Sequence, residues 1–221
     1  VLPYIISSDQ KGCISGRNID ENVRLIEDLL FEIENMSLES VIFLKDDEKA
    51  FDRVEWSWLF STLKYFGFGE NFINWLKIMY KNAQSAIITN GFQSEFFKIT
   101  RGIRQGDSLS ALLYILQMEP LAEKIRQINS IKGVSINLRN LANQNIETRG
   151  CQYVDDSTSF LESKDYISRL LAVIKSYERV SGSKMNLDKT VALVRKGLKV
   201  PLKVNGIKSV SYTHLRAHET R

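Results

Sequence analysis

Two adjacent carboxylates, Asp155 and Asp156, follow Tyr153-Val154 and lie between two largely apolar runs, residues 151–154 and 157–161. That pattern reads as a β-hairpin with the aspartates at its tight turn. Asp suits such a turn because its side chain bonds nearby backbone and tolerates left-handed φ/ψ. Side by side the two anions repel each other unless a cation holds them, and a hard divalent ion with oxygen ligands, Mg²⁺ or Mn²⁺, would do so. An ordinary acidic surface turn is the other reading of the pair. A third carboxylate weighs against it. Val41-Ile42-Phe43-Leu44 is an apolar run ending at Lys45-Asp46, followed by Asp47-Glu48-Lys49-Ala50-Phe51-Asp52. This reads as a buried strand that delivers Asp46 at its C-terminal end, where α/β sheets usually build their sites. Three carboxylates on one cluster would complete a two-metal site for in-line phosphoryl transfer: one ion activates a hydroxyl, the other steadies the leaving phosphate.

Three spaced motifs stand in order along the chain: Asp46-x-x-x-Ala50-Phe51-Asp52, Arg104-Gln105-Gly106-x-x-Leu109-Ser110, and Tyr153-Val154-Asp155-Asp156. They resemble successive motifs of reverse transcriptases. The flanking segments narrow the resemblance to the non-LTR, LINE-type retrotransposon enzymes. These segments are Asp9-Gln10-Lys11-Gly12 with Gly16-Arg17, Asn22 and Ile26; Phe66-Gly67-Phe68-Gly69 with Trp75; and Ser181-Gly182-x-Lys184-x-Asn186-x-x-Lys189-Thr190. The resemblance runs from residue 1 to about residue 209. It implies an α+β fold, the palm of a right-hand polymerase, with a mostly antiparallel sheet packed by helices on one face and the active carboxylates lining the other. Partial fingers accompany the palm, and the thumb is absent. The implied layout is 1–38 as part of the fingers, 39–209 as palm with fingers elements interleaved at about 60–100, and 210–221 as a non-native, disordered tail.

The implied reaction is RNA-directed DNA polymerisation: extension of a DNA primer with deoxynucleoside triphosphates on an RNA template, inside the cell, in cytoplasm and nucleus. Two Mg²⁺ ions, replaceable by Mn²⁺, are the implied cofactors. By the same resemblance Asp46, Asp155 and Asp156 are the catalytic metal ligands, with Asp156 in the less direct role. Backbone at Lys49 and Ala50 faces the triphosphate. Phe51 is a steric gate against the 2′-hydroxyl that separates ribo- from deoxynucleotides. Gln105 and Gly106 lie against the nascent base pair, which suits a side chain that both donates and accepts and a residue that lets backbone approach closely. Tyr153 and Val154 lie at the primer terminus, and Arg17 contacts a phosphate. Lys189, with Lys184 in reserve, is the candidate proton donor to pyrophosphate. For Arg17 and the two lysines, a solvated surface charge is the competing reading. Departures from the family pattern at Cys13, Asp47, Ser108, Ala111 and Ser183 raise an alternative: a decayed, catalytically inactive remnant that only binds nucleic acid.

The elements that must position these residues follow from periodicity. Val23, Ile26, Leu29, Leu30 and Ile33 predict an amphipathic helix over 21–36 with Asp20 as its N-cap. Two further helices are expected at about 54–66 and 70–82, split at Gly67-Phe68-Gly69, with Trp56, Leu59, Leu63, Phe72, Trp75, Leu76 and Tyr80 in the core. Asn90-Gly91 predicts a hairpin between alternating strands. A helix over 108–128 carries Pro120, which predicts a kink or break near Glu119. A strand at 132–138, a helix over 164–181 stopped at Gly182, and two short strands around Asn186-Leu187-Asp188 complete the reading. The 221 residues are 43% hydrophobic and 25% charged, ample for one core and ordinary for a globular protein. A net charge of +4 and a pI near 9.0 permit a polyanionic partner. Cys13 and Cys151 fit no metal spacing and read as free thiols. No apolar run reaches membrane-spanning length, no signal peptide opens the chain, and its start in mid-pattern reads as a fragment. His214 and His218, both in the last eleven residues, have nothing else around them to make a metal site.

Overall fold

The computed structural model describes residues 2–138, 144–195, 203–204 and 206–212. Its helices are α1 (Leu2–Ile5), α2 (Ile19–Asn35), α3 (Trp56–Tyr65), α4 (Glu70–Tyr80), α5 (Ser110–Gln127) and α6 (Ile167–Ser181). Its strands are β1 (Val41–Lys45), β2 (Gln84–Ser85), β3 (Ile88–Thr89), β4 (Phe92–Gln93), β5 (Phe97–Lys98), β6 (Val134–Leu138), β7 (Gln144–Thr148), β8 (Gly150–Tyr153), β9 (Asp156–Leu161), β10 (Val191–Arg195), β11 (Lys203–Val204) and β12 (Ile207–Tyr212). Six of them form one sheet in the order β11-β12-β10-β1-β9-β8. Within it only the β10–β12 pairing is parallel.

β1 sits near the middle of that sheet because its side chains are apolar on both sides. Val41 and Phe43 point into a large core with Leu59 and Leu63 of α3, Leu113 to Leu116 of α5 and Leu170 and Ile174 of α6. Ile42 points the other way, joining Phe160 and Cys151 against Leu29, Leu30 and Ile33 of α2. Helices therefore cover both faces, which corrects the expectation that they pack on one face and the carboxylates line the other. A strand without polar alternation must be buried on both sides, so the site is built at the strand ends.

Several local expectations are refined. The first helix is capped by Asn18 rather than Asp20: Asn18 Oδ1 accepts from the Asp20 amide at 3.4 Å, and Glu21 Oε1 accepts from the Asn18 amide at 3.3 Å, a reciprocal cap. Pro120 does not break α5, which runs through it; nearly every residue from Leu113 to Ala122 is buried, so packing holds the segment helical despite the missing amide. Trp75 is not core but 68% exposed on α4. Asn90 and Gly91 both take left-handed φ, 52° and 82°, between β3 and β4, the geometry a two-residue hairpin requires. Gly182 ends α6 at φ 76°. Of the two strands expected around residues 186–188, β10 forms, while Met185 makes only an isolated bridge to Asp47.

The boundary drawn at residue 210 also moves. Ser211 pairs with Val194 and Tyr212 with Arg195 in the sheet, so β12 claims the first residues assigned to the tail. Residues 213–221, with His214 and His218, and the connection at 139–143 lie outside the described residues. Both cysteines are free; Cys13 is exposed and Cys151 buried, where burial pushes its thiol up to about 12. Among the described residues no helix is long and apolar enough to cross a membrane.

Candidate active site

β1 and β9 run antiparallel in a register whose last pair is Lys45 with Ser157. One step further, Asp46 leaves β1 beside Asp156, the first residue of β9. The β8–β9 hairpin closes with Tyr153 opposite Asp156, so Val154 and Asp155 form its two-residue turn. The three aspartates thus stand at one end of the sheet. The electrostatics follow: partial burial first, then the negative charges of Asp155 and Asp46, raise the Asp156 carboxyl above its ordinary pKa. An all-oxygen set of mutually repelling carboxylates fits a hard divalent cation by its donor chemistry. Among the described residues no three His, Cys, Asp or Glu side chains stand at metal-ligating spacing.

The backbone of Asp46 is held from both sides by one segment. Its amide donates to Thr190 Oγ1 at 3.2 Å, and its carbonyl accepts from the Asn186 amide at 2.8 Å. Thr190 is fully buried. Asn186 and Thr190 stand out in the sequence as motif residues, and their role here is to fix the end of β1.

An open cleft of about 400 Å³ is lined by Phe51, Gln105, Gly106, Asp107, Ser110, Ala111 and, of the three aspartates, Asp155. The structure therefore brings Phe51, the Gln-Gly loop and Asp155 to one space. Gly106 has φ 87°, a conformation that favours glycine. Phe51 stacks on Tyr114, ring centroids 4.6 Å apart, so a buried ring on α5 backs the half-buried one. Lys49 takes φ 47° and its carbonyl accepts from the amides of Asp52 and Arg53 at 2.9 and 3.2 Å, turning the chain after Ala50 into a short 3₁₀ turn.

Other candidates stand elsewhere. Arg17 does not line the cleft. Its guanidinium donates to the carbonyls of Gln10 at 2.8 Å, Ile6 at 2.9 Å and Pro3 at 3.3 Å, and to that of Ser7. A planar fork with five donors gathers four carbonyls of the N-terminal segment. Lys184 pairs with Glu48 at 3.0 Å. Lys189 is exposed, and among the described residues its ammonium has no protein partner, so it is the lysine of the two left available. Tyr153 is exposed and Val154 half-buried at the hairpin. The left-handed residue of that turn is not an aspartate but Val154, φ 56°.

Two departures from the family pattern touch each other. Asp47 is held by Lys45 in an ion pair whose side chains are 1% and 4% exposed, and Ser183 Oγ donates to Asp47 Oδ1 at 3.2 Å. Burial first, then the nearby negative charge of Asp47, raises the Tyr114 phenol well above the usual range and keeps it protonated. Sequence reasoning missed Tyr114 and Asp107. Nothing in a one-dimensional pattern distinguishes Tyr114 from the other core residues of α5.

The sequence profile of reverse transcriptase (RNA-dependent DNA polymerase) matches residues 3–214. The chain is 30% identical over 212 residues to the transposon TX1 uncharacterized 149 kDa protein of Xenopus laevis, covering 96% of this chain and 16% of that protein. It is 26% identical over 188 residues to the Pol polyprotein of the type-2 retrotransposable element R2DM of Drosophila melanogaster, covering 85% and 17%. The chain thus spans about a sixth of the length of these curated relatives. In fold it is similar to apo telomerase from Candida tropicalis, with a TM-score of 0.57 at 13% identity over 84% of this chain and 33% of that one. It is likewise similar to telomerase from Candida albicans in complex with a fragment of telomeric RNA, with a TM-score of 0.55 at 14% identity, over 86% and 32%.

Proposed function

Because the chain belongs to the reverse transcriptase family, we propose that it is the fingers and palm portion of an RNA-directed DNA polymerase from a LINE-type retrotransposon, extending a DNA primer on an RNA template. The observation that carries this is the cleft in which Phe51, the Gln105-Gly106 loop and Asp155 meet, beside the end of the sheet where Asp46 and Asp156 emerge side by side.

Asp46, Asp155 and Asp156 are the residues that would hold divalent metal. Two Mg²⁺ ions there would favour the primer 3′-alkoxide and steady the triphosphate oxygens. The chain's own groups do the positioning. Phe51, backed by Tyr114, closes the space beside the sugar and excludes a 2′-hydroxyl. Backbone at Lys49 and Ala50 faces the triphosphate, and Gln105 and Gly106 lie along the base pair being formed. Tyr153 and Val154 support the primer end. Lys189 donates a proton to the leaving pyrophosphate oxygen. The contact between Asp47 and Ser183 supports an intact core over a decayed one, since two unusual residues satisfy each other.

The test is primer extension on an RNA template with purified chain and Mg²⁺, Asp155→Asn as control. Templated extension that depends on Asp155 is expected. Binding of primer-template without extension, in parent and variant alike, would leave only an inactive nucleic-acid-binding remnant.

A further inference from the structure

Val154 is a β-branched residue in the left-handed region, φ 56°, where such residues are genuine outliers and persist only when their surroundings over-determine them. One side chain holds both of its backbone polar groups. Gln10, 1% exposed, accepts at Oε1 from the Val154 amide at 2.9 Å and donates from Nε2 to the Val154 carbonyl at 3.2 Å. Both backbone groups of the strained residue are thus satisfied by one primary amide, the only neutral side-chain group that donates and accepts in this fork. The same Oε1 accepts from the Gly12 amide at 2.8 Å. A Cβ at position 12 would lie 2.5 Å from Val154 Cγ2 and 2.6 Å from the Val154 nitrogen, so residue 12 has to be glycine for the turn to sit where it does.

Gln10 is itself anchored. The Lys11 amide donates to the Gln152 carbonyl and the Gln152 amide to the Asp9 carbonyl, each at 2.9 Å, lacing the segment to β8. Buried Asn22 of α2 donates to that same Gln152 carbonyl at 2.9 Å. Asp9 pairs with Arg126 of α5 at 3.1 Å, and Arg17 gathers the carbonyls behind it.

We propose that Gln10 is a positioning residue for the reaction: it clamps Val154 in its left-handed state and thereby aims Asp155, the next residue, into the cleft. The proposal rests on the reading of Asp155 as a catalytic ligand. Without the clamp the turn relaxes toward ordinary backbone and the Asp155 carboxylate leaves its place, while the sheet and cleft stay folded. Gly12 serves the same device by leaving room for it.

Two variants of the full chain separate the parts. Gln10→Met keeps the length and removes both hydrogen bonds to Val154, with the one to the Gly12 amide; Gln10→Glu keeps the acceptor and loses the donor. The first readout is amide hydrogen exchange at Val154 and Asp155 alongside global unfolding by denaturant. The Val154 amide is expected to exchange about tenfold faster or more in Gln10→Met, and near the parental rate in Gln10→Glu, at a global stability that still folds the chain. The second is steady-state extension. Gln10→Met is expected to lower kcat by about 10–100-fold, the scale of a small misplacement of a reacting group, with the KM for deoxynucleotide little changed. Val154→Gly added to Gln10→Met should recover part of that loss, since glycine reaches positive φ unaided. Unchanged Val154 exchange in a folded Gln10→Met chain overturns the clamp. So does a parental kcat. If the parent extends no primer, the polymerase reading fails, and hydrogen exchange alone decides the clamp.

Discussion

At the scale of single residues the site is a conflict of like charges. Asp156 has its carboxyl raised by partial burial, then by Asp155 and Asp46. A raised folded pKa means the folded chain holds that proton more tightly than the unfolded one. Folding is therefore penalised above the raised value, and the penalty disappears as pH falls through it. Asp155→Asn removes one source of the repulsion, so without metal its melting temperature should exceed the parent's at neutral pH, with the gap closing as pH drops into the carboxylate range. Thermal melts at both pH values read this directly. The same substitution should lower extension by about three orders of magnitude or more, because several kcal/mol of charge stabilisation depend on the ligands. A variant more stable and inactive would mark a group kept for function at a cost in stability. Phe51→Val, which opens space beside the sugar while leaving Tyr114 in place, should reduce discrimination against ribonucleotides by about 10–100-fold. Paired incorporation of matched ribo- and deoxynucleotides measures it.

At the scale of elements the end of β1 is the position on which the others converge. Asp46 ends the strand beside Asp156 while its neighbours Lys45 and Asp47 bury an ion pair, joined by Ser183 from the segment after α6. Ion pairs of this kind stabilise little over apolar residues, but breaking one leaves an uncompensated buried charge. Lys45→Met should therefore destabilise by about 3–5 kcal/mol, and the double variant Lys45→Met/Asp47→Leu should recover most of that loss. Denaturant unfolding of the four members of this cycle gives the coupling. A Lys45→Met chain as stable as the parent would mean that the Ser183 hydrogen bond suffices to hold Asp47.

At the scale of the whole molecule the surface is mildly basic, with a net charge of +4, and the cleft is open to solvent. On the proposed polymerase reading, affinity for a primer-template duplex would rest largely on phosphate contacts, each of which releases counterions. Raising salt from about 50 to 200 mM should weaken binding by at least about tenfold, and extension from a single binding event should shorten in parallel. Fluorescence anisotropy across a salt series, with a trap oligonucleotide in the extension assay, tests both.

Much of this architecture is written locally. The alternation around Tyr153-Val154-Asp155-Asp156 specifies a hairpin, the apolar run before Asp46 a buried strand, and Asn90-Gly91 a two-residue turn, because each depends on backbone preferences and side-chain period within a few residues. What the sequence could not reveal are relations between segments distant along the chain. Arg17 reads as a phosphate contact, and only the fold shows the four carbonyls of residues 3–10 around it. Asp47 and Ser183 read as two separate departures until 136 residues of chain bring them to 3.2 Å. Pro120 reads as a helix break because propensity acts locally, whereas the buried face that keeps α5 continuous is assembled from the whole fold. The hairpin could be foreseen, but its left-handed residue could not: a valine is the poorest choice for that conformation on local grounds, and only the buried amide of Gln10, 144 residues away, makes it the native one.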